Sequence, residues 1–220
     1  MSLTQFSYLY NKIYPLVSQY TMTSEPRVNC LINATEYILK NNIDGCFVEC
    51  GVWKGGSIMS ILYVLSELGQ THKKIYLYDT FDDGMTKPDQ NIDISYLNES
   101  ADCFTGALGC SVDSVKNNIS QTKYNMNNIT FIKGDVINTI RNDTLPPQIA
   151  LLRLDTDWYQ STYHELVHLY PRLQQGGVMI IDDYGHWKGC KKAVDQYFGE
   201  WNIDTNRLET IDYTGRVFIK

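Results

Sequence analysis

Two acidic runs end apolar stretches of the 220-residue chain. Leu151-Leu-Arg-Leu-Asp-Thr-Asp-Trp158 carries Asp155 and Asp157, and Val178-Met-Ile-Ile-Asp-Asp-Tyr-Gly-His-Trp187 carries Asp182 and Asp183. If both stretches are neighbouring parallel strands, about 4.8 Å apart, acids at their shared carboxyl edge converge on one ion. Four carboxylates there repel one another and raise some pKa values unless a cation is present. Hard oxygen ligands suit Mg²⁺, which keeps several waters and so leaves positions for a substrate's oxygens. A single acid would more simply cap the following helix, as Asp157 before Trp158 would. Two such motifs on two strands favour metal binding. His186 is a candidate substrate contact, with metal ligation and packing as its other uses.

A second group of residues suits a nucleoside. Phe47-Val-Glu-Cys-Gly-Val-Trp-Lys-Gly-Gly-Ser57 joins a short apolar run to a helical one. Gly51 allows a tight turn, and Gly55 and Gly56 allow close approach where exposed N–H groups can take a carboxylate. The spacing is not the Gly-x-Gly-x-x-Gly of dinucleotide enzymes. Glu49 suits an ammonium and a sulfonium, whereas it would repel a pyrophosphate. Asp79 ends the next strand, where an acid can bond ribose hydroxyls. Gly134-Asp135 follows the third and is placed to contact adenine.

Positioning these residues requires an α/β sheet. Strands are expected at 46–50, 74–78, 129–133, 149–154 and 178–181, with a closing antiparallel pair at 208–212 and 217–220. Helices are expected between them at 55–68, 111–122, 160–173 and 190–198. In the first helix Ile58, Ile61, Leu62, Leu65 and Leu68 should face the sheet, and Leu173-Gln-Gln-Gly-Gly177 should end the third with a glycine cap. The alternation of strand and helix predicts a seven-stranded, mostly parallel sheet with helices on both faces. The chain reads as one domain over 1–220, with an N-terminal helical cap at 1–44. The segment 82–109 lacks periodicity, is rich in acids, and follows a strand end, so a lid is expected there, with a solvated insertion carrying one short helix as the alternative.

A chain of this length buries about 70% of its unfolded surface. The net charge of −6 and pI near 5.2 argue against general nucleic-acid binding. No apolar run approaches a membrane span, and the start lacks a secretory pattern, so a cytoplasmic setting is expected. The six cysteines show no zinc spacing and read as packing residues.

Taken together, these segments resemble the macrocin O-methyltransferase family, whose relatives methylate sugars on macrolide and aminocoumarin antibiotics. The resemblance runs through 20–24, 47–57, 77–81, 151–162, 164–171 and 176–198. It implies a class I S-adenosylmethionine methyltransferase fold of Rossmann-like type, with S-adenosyl-L-methionine and Mg²⁺ as cofactors. By that resemblance Asp155, Asp182 and Asp183 are the three Mg²⁺ ligands and Asp157 is the general base. Glu49, Gly51, Ser57, Asp79 and Asp135 fall in cofactor-binding segments, and Thr21 and Met22 match an N-terminal motif that reaches the site. Relatives self-associate, which points to a homo-oligomer. Ser24-Glu-Pro-Arg27 reorders a Ser-Pro-Glu-Arg element, and the segment after Phe81 matches no family stretch. The acceptor therefore stays open between a sugar on a secondary metabolite, such as a glycosylated antibiotic, and a surface glycan. The rival readings are a metal-dependent phosphohydrolase, an NAD-dependent oxidoreductase and a non-catalytic methyl-donor-binding protein.

Overall fold

The computed structural model describes residues 3–220; Met1 and Ser2, the start of the expected cap, lie outside the described residues. Helices α1 (Tyr8–Val17) and α2 (Glu25–Lys40) come first. They precede β1 (Cys46–Cys50), α3 (Gly56–Glu67), β2 (Ile75–Asp79), α4 (Val112–Ser120), β3 (Ile129–Lys133) and α5 (Val136–Thr139). The second half holds β4 (Ile149–Leu154), α6 (Tyr159–Leu169), β5 (Leu173–Ile181), α7 (Lys188–Glu200), β6 (Glu209–Thr210) and β7 (Arg216–Ile219).

Among the described residues seven strands form one sheet in the order β3-β2-β1-β4-β5-β7-β6. The pairs from β3 to β5 are parallel, and β7 runs antiparallel to both β5 and β6. This is the expected mostly parallel sheet with an antiparallel C-terminal pair. The chain lays β2 and β3 on one side of β1, then returns to place β4 on the other. Open sheets bind ligands at such a switch, outside the carboxyl ends of the strands.

Strand alternation divides the core in two. Phe47, Leu151, Val178 and Ile180 pack with α1 to α4, whereas Val48, Leu152, Met179 and Ile181 pack with α5 to α7. In α3, Ile58, Ile61, Leu62 and Leu65 are buried, each contributing about 1.5–3 kcal/mol. Leu68, expected beside them, is the C-cap and is 45% exposed, because the helix ends before its turn reaches the sheet. Ahead of the sheet, Ser24 caps α2 by accepting from the Arg27 N–H, and Pro26 sits in the first turn, where its missing N–H is tolerated.

The boundaries that depart most from expectation are the end of α6, the start of β5 and the length of β6. Helix α6 stops at Leu169, since Pro171 cannot continue it, and residues 173–177 belong to β5. Gly176 does adopt positive φ, +79°, but inside a strand whose register with β4 shifts. Strand β6 is two residues long because Asp212 leaves the ladder: its Oδ1 accepts from the Thr214 and Gly215 N–H groups and folds the chain into a turn. Helix α2 begins at Glu25, within the Ser24-Glu-Pro-Arg27 element.

The segment 82–109 crosses the carboxyl edge of the sheet. It closes on itself through Met85 N–H to the Ala107 carbonyl and Gly106 N–H to the Met85 carbonyl, at 2.8 and 2.9 Å. A β-bridge between Ser95 and Trp187 pins its middle to the start of α7. No helix among the described residues is long and apolar enough to cross a membrane.

Candidate active site

A cavity of about 380 Å³ lies at the switch between β1 and β4. It is lined by Gly51, Ser57, Asp79, Gly134 and Asp135, which follow β1, β2 and β3, and by Asp155, Asp157, Asp182, Asp183 and His186, which follow β4 and β5. Thr21 and Met22 line it from the N-terminal segment. One cavity thus gathers every predicted site residue except Glu49.

Around Gly51, backbone geometry leaves room for a ligand. Gly51 has φ +82°, and a Cβ there would lie 2.0 Å from the Asp155 carbonyl oxygen. Asp79 holds the following loop: its Oδ2 accepts from the Val52 and Trp53 N–H groups at 2.5 and 3.0 Å, and its Oδ1 from Phe81. Asp135 caps α5 through the Ile137 N–H. Ser57 Oγ lies 3.5 Å from Thr21 Oγ1 and 3.4 Å from Thr23 Oγ1, which ties the N-terminal segment to the start of α3.

Glu49 departs from its expected place. It stands opposite Arg153 in the β1–β4 register and projects to the α1–α4 side, like Phe47 two residues before it. There it is 1% exposed and its Oε1 accepts from Arg153 at 2.9 Å. Burial lifts its pKa to about 7 against the pull of Arg153. Glu49 is not among the residues lining the cavity and stands behind Arg153, which is.

Arg153 is the centre of a buried network that the sequence motifs do not single out. Besides Glu49 it bonds Asp155 Oδ2 at 2.6 Å, Asp182 Oδ1 at 2.7 Å and Thr23 Oγ1 at 2.8 Å. Arg27 extends the network, bonding Asp182 Oδ2 and, at 3.0 Å, Asp212 Oδ2. Burial alone would lower both guanidinium pKa values, but the surrounding carboxylates outweigh it and hold them raised.

Strand alternation also separates Asp182 from Asp183. Asp182 follows Ile180 to the α2 side and spends both oxygens on arginines, whereas Asp183 turns the other way. Ligand atoms of Asp155, Asp157 and Asp183 all lie within 4.8 Å of one another. Asp183 Oδ2 is buried with no hydrogen-bond partner. The geometry therefore groups Asp157, expected as a base, with two of the expected ligands, while Asp182 is engaged elsewhere.

The protonation of this group reflects crowding. Burial first, then neighbouring acids, push Asp155 and Asp183 well above the usual carboxylate range, and push Asp157 to about 8. A hard divalent cation relieves that repulsion, so the donor set fits Mg²⁺. Asp157 is not the N-cap of α6; that place belongs to Trp158, which gives no side-chain cap. Its φ is +68°, in the left-handed region that Asp tolerates better than most residues. Thr156 before it donates to Glu165 Oε1 at 2.9 Å, and Ser161 donates to the Thr156 carbonyl at 3.1 Å, so the turn is gripped from α6. At the cavity rim His186 meets Glu99 Oε2 through Nε2 at 2.9 Å and the Tyr213 hydroxyl at 3.3 Å.

The sequence matches the family described as Macrocin-O-methyltransferase (TylF) over residues 12–220. It is 32% identical over 213 residues to the 8-demethyl-8-(2,3-dimethoxy-alpha-L-rhamnosyl)-tetracenomycin-C 4'-O-methyltransferase of Streptomyces olivaceus, covering 94% of this chain and 77% of that one. It is 30% identical to the mycinamicin III 3''-O-methyltransferase of Micromonospora griseorubida, covering 92% and 78%. In structure it is similar to the O-methyltransferase NovP, with TM-score 0.80, 28% identity and coverage of 91% and 82%. The calicheamicin methyltransferase CalS11 shares the fold, with TM-score 0.67 at 16% identity and coverage of 100% and 96%.

Proposed function

The chain belongs to the macrocin-O-methyltransferase family and is an O-methyltransferase, and from that premise we propose that it methylates a sugar hydroxyl with S-adenosylmethionine and Mg²⁺. The observation that carries the reading is the meeting of Asp155, Asp157 and Asp183 within 4.8 Å, in the same cavity that Gly51, Asp79 and Gly134 line. The names of the relatives, one with a rhamnosyl-bearing substrate, favour a sugar on a glycosylated secondary metabolite over a surface glycan. Family membership leaves the phosphohydrolase, NAD-dependent and non-catalytic readings without support.

Asp155 and Asp183 would hold the cation, with Asp182 joining them once it leaves Arg27. The bound ion would supply Lewis acidity, which lowers the cost of deprotonating a sugar hydroxyl. Asp157, raised by burial and by Asp155 while no cation offsets them, would return to the carboxylate form beside one and could then take that proton as general base. Backbone at Gly51 and Gly134, with Ser57 and Asp79, would orient the methyl donor, and alignment of donor and acceptor supplies much of the rate. Trp158 and Trp187, both buried beside the acids, exclude water from the reacting atoms. His186 would contact the acceptor at the rim.

Calorimetry tests this directly. S-adenosylhomocysteine is titrated into chelator-treated protein, then Mg²⁺ into the complex. Saturable binding of both is expected, with the Mg²⁺ step lost in Asp183→Ala. Failure of folded protein to bind the nucleoside would overturn the reading.

A further inference from the structure

Asp93 is the one acid of segment 82–109 that is buried, at 3% exposure, and both its oxygens are used. Oδ2 accepts from the Asp89 N–H at 2.8 Å, and the Asp93 N–H returns to the Asp89 carbonyl at 2.7 Å, which closes a local turn. Oδ1 accepts from the N–H of Tyr159, the first residue of α6, at 2.8 Å. That helix has neither a side-chain cap at Trp158 nor an acid in its first turn. Asp93 therefore supplies, from 66 residues away in sequence, the acceptor that a Ser or Asp at the N-cap would give. A carboxylate there also suits the positive end of the helix dipole.

Gly189 at the start of α7 makes room for this contact. A Cβ at Gly189 would lie 1.8 Å from Asp93 Oδ1 and 3.1 Å from the Tyr159 nitrogen. Its φ lies outside the left-handed region, so the glycine is required for space alone. The starts of α6 and α7 and the crossing segment thus converge on one carboxylate. Trp158 adds a second tie, its indole N–H donating to the Thr86 carbonyl at 2.9 Å. Tyr159 and Trp158 directly follow Asp157, whose left-handed backbone must be held by its surroundings.

We propose that Asp93 is a positioning residue that caps α6 from the crossing segment and so couples the seating of 82–109 to the placement of Asp157. The catalytic meaning of that coupling rests on the base role proposed above; the coupling itself does not.

Hydrogen exchange on Asp93→Ala, Asp93→Asn and Gly189→Ala tests it, followed on peptides spanning 86–96 and 155–162. Loss of the cap should cut protection in both stretches together by about 10-fold in Asp93→Ala and Gly189→Ala. Asp93→Asn, which keeps an oxygen for Tyr159, should fall between these and wild type. S-adenosylhomocysteine affinity should be unchanged in all three, since the residues proposed to hold it, Gly51, Ser57, Asp79 and Gly134, lie on other elements. Loss confined to 86–96 would overturn the proposal, because Asp93 would then only fasten its own segment. A uniform loss that also reaches β1 and β4 would overturn it as well, marking a general stability effect. Failure of the wild type to bind S-adenosylhomocysteine would remove the methyl-transfer reading and leave the exchange result standing.

Discussion

Replacing Arg153 with Met should unseat the candidate site and the fold together. The side chain is 2% exposed and satisfies Glu49, Asp155, Asp182 and Thr23 at once. Removing one partner from a buried ionic network costs about 3–5 kcal/mol, because the remaining charges stay desolvated. In a chain of this size 1 kcal/mol moves Tm by about 2–4 °C, so a fall of about 6–20 °C is expected. The loss should also depend on pH. Glu49 already titrates near 7, raised by burial against the pull of Arg153, and rises further without that pull. A carboxyl whose folded pKa exceeds its unfolded value stabilises below the unfolded value and loses that contribution as pH rises through the folded one. The deficit of Arg153→Met should therefore be least near pH 5 and grow toward pH 8. Thermal melts by circular dichroism across that range would measure it, with Glu49→Gln in the Arg153→Met background recovering part of the loss. Arg153→Lys should recover less, since one ammonium cannot span four acceptors in fork geometry. Melting of Arg153→Met at the wild-type temperature throughout would refute the reasoning.

Asp157→Asn should lower kcat by about two to four orders of magnitude while leaving S-adenosylhomocysteine affinity intact in calorimetry, the pattern of a lost general base. Gly51→Ala combines a positive φ with a Cβ 2.0 Å from the Asp155 carbonyl oxygen. It should cost about 2–5 kcal/mol in denaturant unfolding and weaken nucleoside binding, since β1 and β4 must part. Glu165 is pushed to about 8 by burial, against hydrogen bonds from Thr156 and Cys50. Wild-type stability should therefore decline between about pH 4.5 and 8, and Glu165→Gln should flatten that slope in pH-dependent melts.

The strand ends were legible because apolar runs closed by acids carry their own signal. Asp155, Asp157, Asp182 and Asp183 could be placed at one edge from the sequence alone, and so could the glycine turn at Gly51. What escaped was how the side chains divide between the two faces of the sheet. Alternation sends Glu49, Arg153 and Asp182 to the α2 side, where they bond each other, and leaves Asp183 to face Asp157. A lone Arg inside Leu151-Leu-Arg-Leu154 was a usable signal, since a strand covered on both faces admits an arginine only with buried acids to meet it. Asp93 gave no such sign. Its partners are a backbone N–H and an absent Cβ, brought together only by tertiary contact. The helix expected through residue 173 ends early, ahead of Pro171, and the positive φ of Gly176 serves an irregular strand in place of a helix cap.

The order of the strands has a consequence for how the protein acquires its site. Arg153 and Glu49 meet across 104 residues, and every acid of the cluster arrives with β4 or β5. Parallel pairing over such a separation must meet a large loop-closure cost before its contacts return anything, which makes it slow. Until β4 docks, β1 is an open edge of a three-stranded sheet, carrying Glu49 without its cation. During synthesis β1, β2 and β3, which carry Gly51, Asp79 and Gly134 at their ends, can pair while β4 and β5 are still being made. Refolding should accordingly recover helical signal first and the proposed Mg²⁺ affinity last, and the interval between them is when an unpaired β1 edge is most exposed to aggregation.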